Sequence, residues 1–184
     1  MSPMFKNFWK SSWGETLQVL LLVVIIVFPF RIYVAQPFIV SGPSMDNTFA
    51  DGQYLIVDEL TYEQRDPHRG EVVIFRYPLE PSKFFIKRVI GLPNDKIEIS
   101  NNVIKINGQT LTENYVKTDT TGLVRPDISV TLKANEYYVL GDNRGVSSDS
   151  RIWGPVDRKL ITGRPFLRLI PFSKIALWPG QVTE

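Results

Sequence analysis

From Leu17 the chain reads Leu-Gln-Val-Leu-Leu-Leu-Val-Val-Ile-Ile-Val-Phe-Pro-Phe30, an apolar stretch interrupted only by Gln18 and Pro29. The run alone is shorter than the roughly 20 residues a spanning helix needs. Extended from Trp13 to Tyr33 it reaches about 31 Å as a helix, at about 1.5 Å per residue. Trp9, Trp13 and Tyr33 then fall at the two interfaces, where amphipathic rings prefer to lie. Pro29 sits near the far end, where a kink costs least. A cleavable leader would need small residues at its cutting point. Two positions before Ala35 stands Tyr33, so the reading is an uncleaved anchor over 13–34. Lys6 and Lys10 precede it and place the N-terminus, residues 1–12, in the cytoplasm by the positive-inside rule. Arg31 weakens that bias, though its long stem can snorkel. Everything after about residue 35 is then expected outside.

The rest of the chain reads as β-rich, with short branched and aromatic runs separated by turn signals. Gln53-Tyr-Leu-Ile-Val57, Glu71-Val-Val-Ile-Phe-Arg-Tyr77, Phe84-Phe-Ile-Lys-Arg-Val-Ile90 and Glu136-Tyr-Tyr-Val-Leu140 are expected strands. Lys96–Ile99 and Val103–Ile106 flank Ser100-Asn-Asn102 as a hairpin. Asn107-Gly108 is a second tight turn, because both residue types tolerate positive φ. Thirteen prolines and twelve glycines break the chain often, and no long soluble helix stands out. The expected fold is mainly β: packed, mostly antiparallel sheets following a transmembrane helix. A main β-domain over 35–95 and 136–184 would carry 96–135 as a small inserted cap.

Composition narrows the chemistry. With no cysteine there is no thiol nucleophile, thiolate metal site or disulfide. The single histidine, His68, lies in a turn-like stretch, Arg65-Asp-Pro-His-Arg-Gly70, so a Ser-His-Asp triad would rest on this one residue. No zinc ligand set is apparent. A net charge of +2 without a basic run leaves no nucleic-acid footprint. No metal and no cofactor are expected.

Three segments look like active-site loops. In Ser41-Gly-Pro-Ser-Met-Asp-Asn-Thr-Phe49, a glycine and a proline force a bend that can expose the Ser44 hydroxyl, though Ser-Gly-Pro also describes any surface turn. In Phe84–Pro93, strand alternation puts Phe85 and Lys87 on one face and Ile86 and Arg88 on the other. Desolvation among apolar neighbours can lower a lysine's pKa and make it a general base near neutrality. The plainer alternative is an edge lysine whose head reaches water. Gly141-Asp-Asn-Arg-Gly-Val-Ser-Ser-Asp-Ser-Arg-Ile-Trp-Gly154 alternates carboxylates and guanidinium groups that can tie the loop together. Asp142, Asn143 and Asp149 could bind calcium, but their spacing is not that of an EF-hand loop. Arg144 and Arg151 already supply positive partners.

Together these segments resemble the type I signal peptidase (leader peptidase) family of Ser–Lys dyad serine endopeptidases, from the anchor almost to the C-terminus. Ser41-Gly-Pro-Ser-Met45 resembles its nucleophile motif, and Lys87-Arg-Val-Ile-Gly-Leu-Pro93 its lysine motif. Gly141-Asp-Asn-Arg144 with Ser147-Ser-Asp-Ser-Arg151 resembles its third signature. The resemblance implies Ser44 as nucleophile, Lys87 as general base and Ser147 orienting the lysine. Asp142, Arg144, Asp149 and Arg151 would brace the site. It implies removal of signal peptides from exported precursors after small residues, at Ala-X-Ala sites. Val40, Met45, Phe85 and Ile86 are then expected to line shallow pockets. Precursors and membrane lipid are the implied partners of a monomeric, single-pass enzyme of the cell membrane. The chain departs from the family pattern at Asn47, Phe49 and Asn94, where proline, leucine and glycine are usual. Gly42 stands where some members carry a serine that helps to bind the oxyanion, so backbone N–H groups near Gly42 and Ser44 must serve.

Two other readings compete. One is another Ser–Lys protease on a similar scaffold, such as a self-cleaving repressor or a conjugative-transfer peptidase. The other is a catalytically silent, tethered β-domain that binds peptides.

Overall fold

The computed structural model describes residues 12–27, 36–116 and 127–182. Two compact units divide the chain, the first up to Gln36 and the second from Pro37. In the first, an α-helix over Ser12–Leu22 continues as a π-helix over Val23–Val27. Among the described residues no helix is long and apolar enough to cross a membrane. The remainder of the expected span, 28–34, lies outside the described residues.

The second unit is mainly β. Its larger sheet runs β1 (Gln36–Ile39), β2 (Tyr54–Asp58), β11 (Ile161–Ile170), β3 (Val72–Tyr77), β4 (Glu80–Gly91), β9 (Glu136–Leu140) and β10 (Val156–Asp157). A further strand, β12 (Ala176–Leu177), pairs with β11. The smaller sheet runs β7 (Gln109–Thr110), β6 (Val103–Ile106), β5 (Lys96–Ser100) and β8 (Ile128–Thr131). The pairings β2–β11, β3–β4, β4–β9 and β5–β6 are antiparallel. The β5–β6 turn holds Asn101 and Asn102 at φ 50° and 63°, and the β6–β7 turn holds Asn107 and Gly108 at 52° and 84°. These are the left-handed conformations that a tight hairpin demands and that Asn and Gly tolerate.

Strand β4 is exposed from Glu80 to Phe84 but buried on both faces from Lys87 to Gly91. So is β9 from Tyr137 to Leu140, whose continuous apolar run suits a strand covered on both sides. Val89, Tyr137 and Val139 join one core cluster with Val73, Phe75 and Ile161. Their alternate neighbours Ile90, Tyr138 and Leu140 join a second with Ile97, Ile104 and Ile106 of the smaller sheet. The two sheets therefore pack through β4 and β9. Close approach is possible because position 91 is glycine. A Cβ there would meet Ile97 Cδ1 at 2.7 Å and Leu132 Cδ1 at 2.8 Å.

Strand β11, central to the larger sheet, was not foreseen. Its Gly163 and Pro165 read as strand breakers. The structure absorbs both in register shifts, between Ile161 and Gly163 and between Pro165 and Leu167. Gly163 lies so close to β2 that a Cβ would stand 2.7 Å from the Asp58 carbonyl oxygen.

Because Gly91 has no room for a methyl group, Gly91→Ala is expected to destabilise the domain by about 1–3 kcal/mol. Chemical denaturation would read this as a lower midpoint, and an unchanged midpoint would show that the sheets can separate at no cost.

Candidate active site

Two features of β4 prepare the site. Alternation sends adjacent residues Lys87 and Arg88 to opposite faces. Register then sets what surrounds them: Lys87 lies opposite Val73 of β3, and Arg88 opposite Leu140, the last residue of β9. The loop that follows β9, beginning Gly141-Asp142, therefore departs beside Lys87.

Arg88 is 1% exposed and Asp142 is fully buried. Arg88 Nε donates to Asp142 Oδ1 at 2.8 Å and Nη2 to Oδ2 at 2.6 Å. Nη1 donates to the carbonyls of Gly70 and Gly180, each at 2.7 Å, and Nη2 also reaches Thr48 Oγ1 at 3.3 Å. Every N–H of the guanidinium thus has an acceptor, which is what a buried charge requires.

On the other face the Lys87 ammonium donates to Ser44 Oγ at 2.8 Å and to the Ile86 carbonyl at 2.8 Å. Lys87 is 4% exposed. Burial lowers its pKa to about 8, against the upward pull of Asp149 and Asp142. Neither carboxylate is bare: Asp142 is paired with Arg88, and Asp149 with Arg151 at 2.7 Å. Burial pushes the Asp149 carboxyl up, but hydrogen bonds and charge from Arg151, the Gly141 N–H and the Ser147 hydroxyl hold it below the usual carboxylate range. Ser147 is buried against Gly141, where an added Cβ would stand 2.2 Å from Ser147 Oγ and 2.4 Å from the Ser44 carbonyl oxygen.

The Ser44 loop is held from the same side. Asn143 N–H donates to the Ser44 carbonyl at 3.1 Å, and Asn143 Nδ2 to the Pro43 carbonyl at 3.1 Å. Asn143 lies within Gly141-Asp-Asn-Arg144, yet no local pattern marks it as the residue that fastens Ser44. Glu113 was also missed; it accepts from both Arg144 Nη groups, while Arg144 Nε holds the Gly141 carbonyl. Tyr115 places its ring 4.0 Å from the Arg88 guanidinium carbon. Neither Glu113 nor Tyr115 carries a local signal, since each acts across a long sequence separation.

A cavity of about 530 Å³ opens beside the pair. Val40, Ser44, Phe85, Ile86 and Lys87 line it, with Phe38, Phe84 and Val146 extending its apolar wall. The Phe38 and Phe84 rings meet edge-on at 5.2 Å, bringing β1 close to β4. Met45 sits elsewhere: it is fully buried in a cluster with Phe49, Leu55 and Val72, outside the cavity wall. The Gly42 N–H is engaged by Asp51 Oδ1 at 2.7 Å. For the Ser44 N–H no acceptor is found among the described residues. Asn94 has φ 69°, so an asparagine can stand where a glycine is usual. Asn47 has φ 98°, which proline cannot adopt, so the backbone here departs from what a proline would give.

Residues 13–170 match the family described as signal peptidase, peptidase S26. The chain belongs to that family. Probable signal peptidase I-2 of Synechocystis sp. is 35% identical, across 91% of this chain and 78% of its own. Signal peptidase I of Leptolyngbya laminosa is 34% identical, across 88% and 81%. Signal peptidase IB of Staphylococcus aureus is 32% identical, across 89% and 91%. A crystal structure of a signal peptidase I from Enterococcus faecalis V583 aligns with TM-score 0.48 and 29% identity, across 54% of this chain and 97% of that one. This signal peptidase is therefore a serine endopeptidase. Among the described residues of the peptidase there is no cluster of His, Asp or Glu suited to a metal ion.

Removing Asp142 would leave the Arg88 charge buried without its counter-ion. Asp142→Ala in this signal peptidase is expected to cost about 3–5 kcal/mol of stability. A urea titration followed by tryptophan fluorescence would measure it, and a loss below about 1 kcal/mol would mean that water replaces the pair.

Proposed function

We propose that this signal peptidase cleaves exported precursors with Ser44 as nucleophile and Lys87 as general base. The observation that carries the reading is the 2.8 Å approach of Lys87 Nζ to Ser44 Oγ at a lysine almost wholly removed from water. A neutral amine in that position has two N–H bonds and one lone pair. It can keep donating to the Ile86 carbonyl while accepting the Ser44 proton. The serine oxygen then attacks the scissile carbonyl, and the lysine passes the proton to the leaving amine. A water deprotonated by the same lysine releases the acyl group. The oxyanion faces the Ser44 N–H, because the Gly42 donor is already taken by Asp51. Ser147 orients the lysine, and its hydroxyl donates to Asp149.

The precursor enters as an extended strand along residues 38–43 and 83–86, which line the cavity. Val40, Phe85 and Ile86 leave shallow apolar space that suits alanine before the cut. Met45 contributes from beneath, by supporting the loop. The N-terminal helix supports membrane anchoring: its side chains from Leu17 to Ile25 are all exposed, and all but Gln18 are apolar. A helix that is apolar all round has no stable place in water. With Lys6 and Lys10 before it, the enzyme sits in the cell membrane as a single-pass monomer, catalytic domain outside and N-terminus in the cytoplasm.

Ser44→Ala and Lys87→Ala are each expected to lower kcat/KM on a precursor peptide with an Ala-X-Ala site by at least about a thousandfold. Lys87→Arg tests the base itself, since a guanidinium cannot give up its proton at these pH values and should be equally inactive. Cleavage at near-normal rates by any of the three would end the dyad reading.

The pH dependence has a definite sign. The active lysine is the neutral one, and burial lowers its pKa to about 8. Activity should therefore rise through about pH 8 and fall about tenfold per unit below it. A rate independent of pH between about 6 and 9 would contradict a titrating lysine base.

A further inference from the structure

The last described segment, Trp178–Val182, touches both halves of the site. Trp178 docks it on β11: its N–H donates to the Phe166 carbonyl at 2.8 Å, its ring meets Phe166 edge-on at 4.8 Å, and Arg164 stacks over it at 4.1 Å. Two residues on, the Gly180 carbonyl accepts from Arg88 Nη1. Gly180 also lies against the nucleophile loop. Its φ is 84°, and a Cβ there would stand 2.9 Å from Phe49 Cε2 and 3.1 Å from Thr48 Cγ2. Val182 lies near Gly70, where an added Cβ would stand 3.7 Å from Val182 Cγ2, and the Gly70 carbonyl is the other acceptor for Arg88 Nη1. The family match stops at residue 170, so this segment lies beyond what that match covers.

We propose that Trp178–Val182 is a positioning strap for the Ser44–Lys87 pair, with Gly180 as the residue through which it acts. The inference rests on the dyad reading above and adds to it. Arg88 follows Lys87 directly on β4, so anchoring its guanidinium restrains the backbone that carries the lysine. Thr48 and Phe49 follow Ser44 within a turn, and Phe49 shares a core cluster with Met45 beneath the serine. One short segment thereby fixes the base from one side and the nucleophile loop from the other. Misplacement by about 1 Å at such a pair costs about a hundredfold in rate. The strap also closes Arg88 from water. The charged groups facing Lys87 are Asp142, paired with Arg88, and Asp149, paired with Arg151. Loosening the strap hydrates the Arg88–Asp142 pair and lessens the desolvation that favours the neutral amine.

The test uses the full-length enzyme in detergent and a precursor peptide with an Ala-X-Ala site, with kcat and KM measured across pH. Lys87→Ala, run alongside, reports on the dyad reading by itself. Gly180→Ala is expected to lower kcat at least about tenfold near pH 7.5, with KM within about twofold. Its acid limb should move up by about half a unit or more, so that the defect shrinks above about pH 9. Gly108→Ala is the control: Gly108 has the same φ of 84° but nothing within 4 Å of the added methyl, and its kinetics should match the parent. Trp178→Gly loosens the strap at its dock without crowding the site, and should give the same signature at smaller size. It stands in for Gly180→Ala if that variant does not fold. The inference is overturned if Lys87→Ala is inactive while the folded strap variants keep the parental kcat and acid limb. A drop that is uniform across pH and tracks the folded fraction overturns it equally.

Discussion

The buried pair of Arg88 and Asp142 is the tie on which the site's geometry depends. It joins strand β4 to the loop after β9 at the point where β9 stops pairing. It acts with the bonds between Asn143 and the Ser44 loop and between Gly141 and both Asp149 and Arg144, which hold the loop beside the lysine. The pair is costly to bury, and a buried ion pair is weak grounds for stability on its own. Here every guanidinium N–H is used, and the acceptors come from four separate segments: Thr48, Gly70, Asp142 and Gly180. The arrangement therefore specifies where those segments meet, whatever its net energy.

The same pair resolves an electrostatic conflict. A neutral lysine is poorly placed near carboxylates, which favour its ammonium form. Two carboxylates lie near Lys87, and both raise its pKa. Each is held by an arginine fork, so the lysine sees neutralised pairs more than isolated negative charges. Burial then prevails, and the amine titrates within reach of neutrality. Charged residues around a desolvated lysine thus act as rigid struts with little field of their own. Swapping either arginine for a lysine would lose the fork as well as the fit.

Much of this was legible in the sequence. The two asparagine turns, the β4 alternation and the three loop motifs are local features, and local rules find them. Strand β11 was hidden because Gly163 and Pro165 break the pattern that the structure accommodates with shifts in register. Glu113, Tyr115 and Gly180 were hidden for a different reason. Each is an ordinary residue in an ordinary loop, and its role exists only through Arg144, Arg88 or Phe49, distant in sequence. Gly42 shows the reverse case. Its position marked it as an oxyanion donor, yet a contact with Asp51 nine residues later takes up that N–H.

The departures at Asn47, Phe49 and Asn94 can now be weighed against the geometry. Asn94 keeps a positive φ, so the backbone at the end of the lysine motif remains as a glycine would leave it. Phe49 is fully buried, and the space for its ring is the space that Gly180 leaves open. A larger side chain in the Ser44 loop and a glycine in the C-terminal segment are therefore one packing solution. Asn47 is the departure that changes the backbone itself, because its φ of 98° excludes proline. The loop that carries Ser44 is consequently held less by its own stiffness than by its contacts. Asn143 grips it at Pro43 and Ser44, Asp142 and Arg168 hold it at Thr48, and Gly180 lies against Phe49. Rigidity that a proline would supply within the loop is supplied here from outside it.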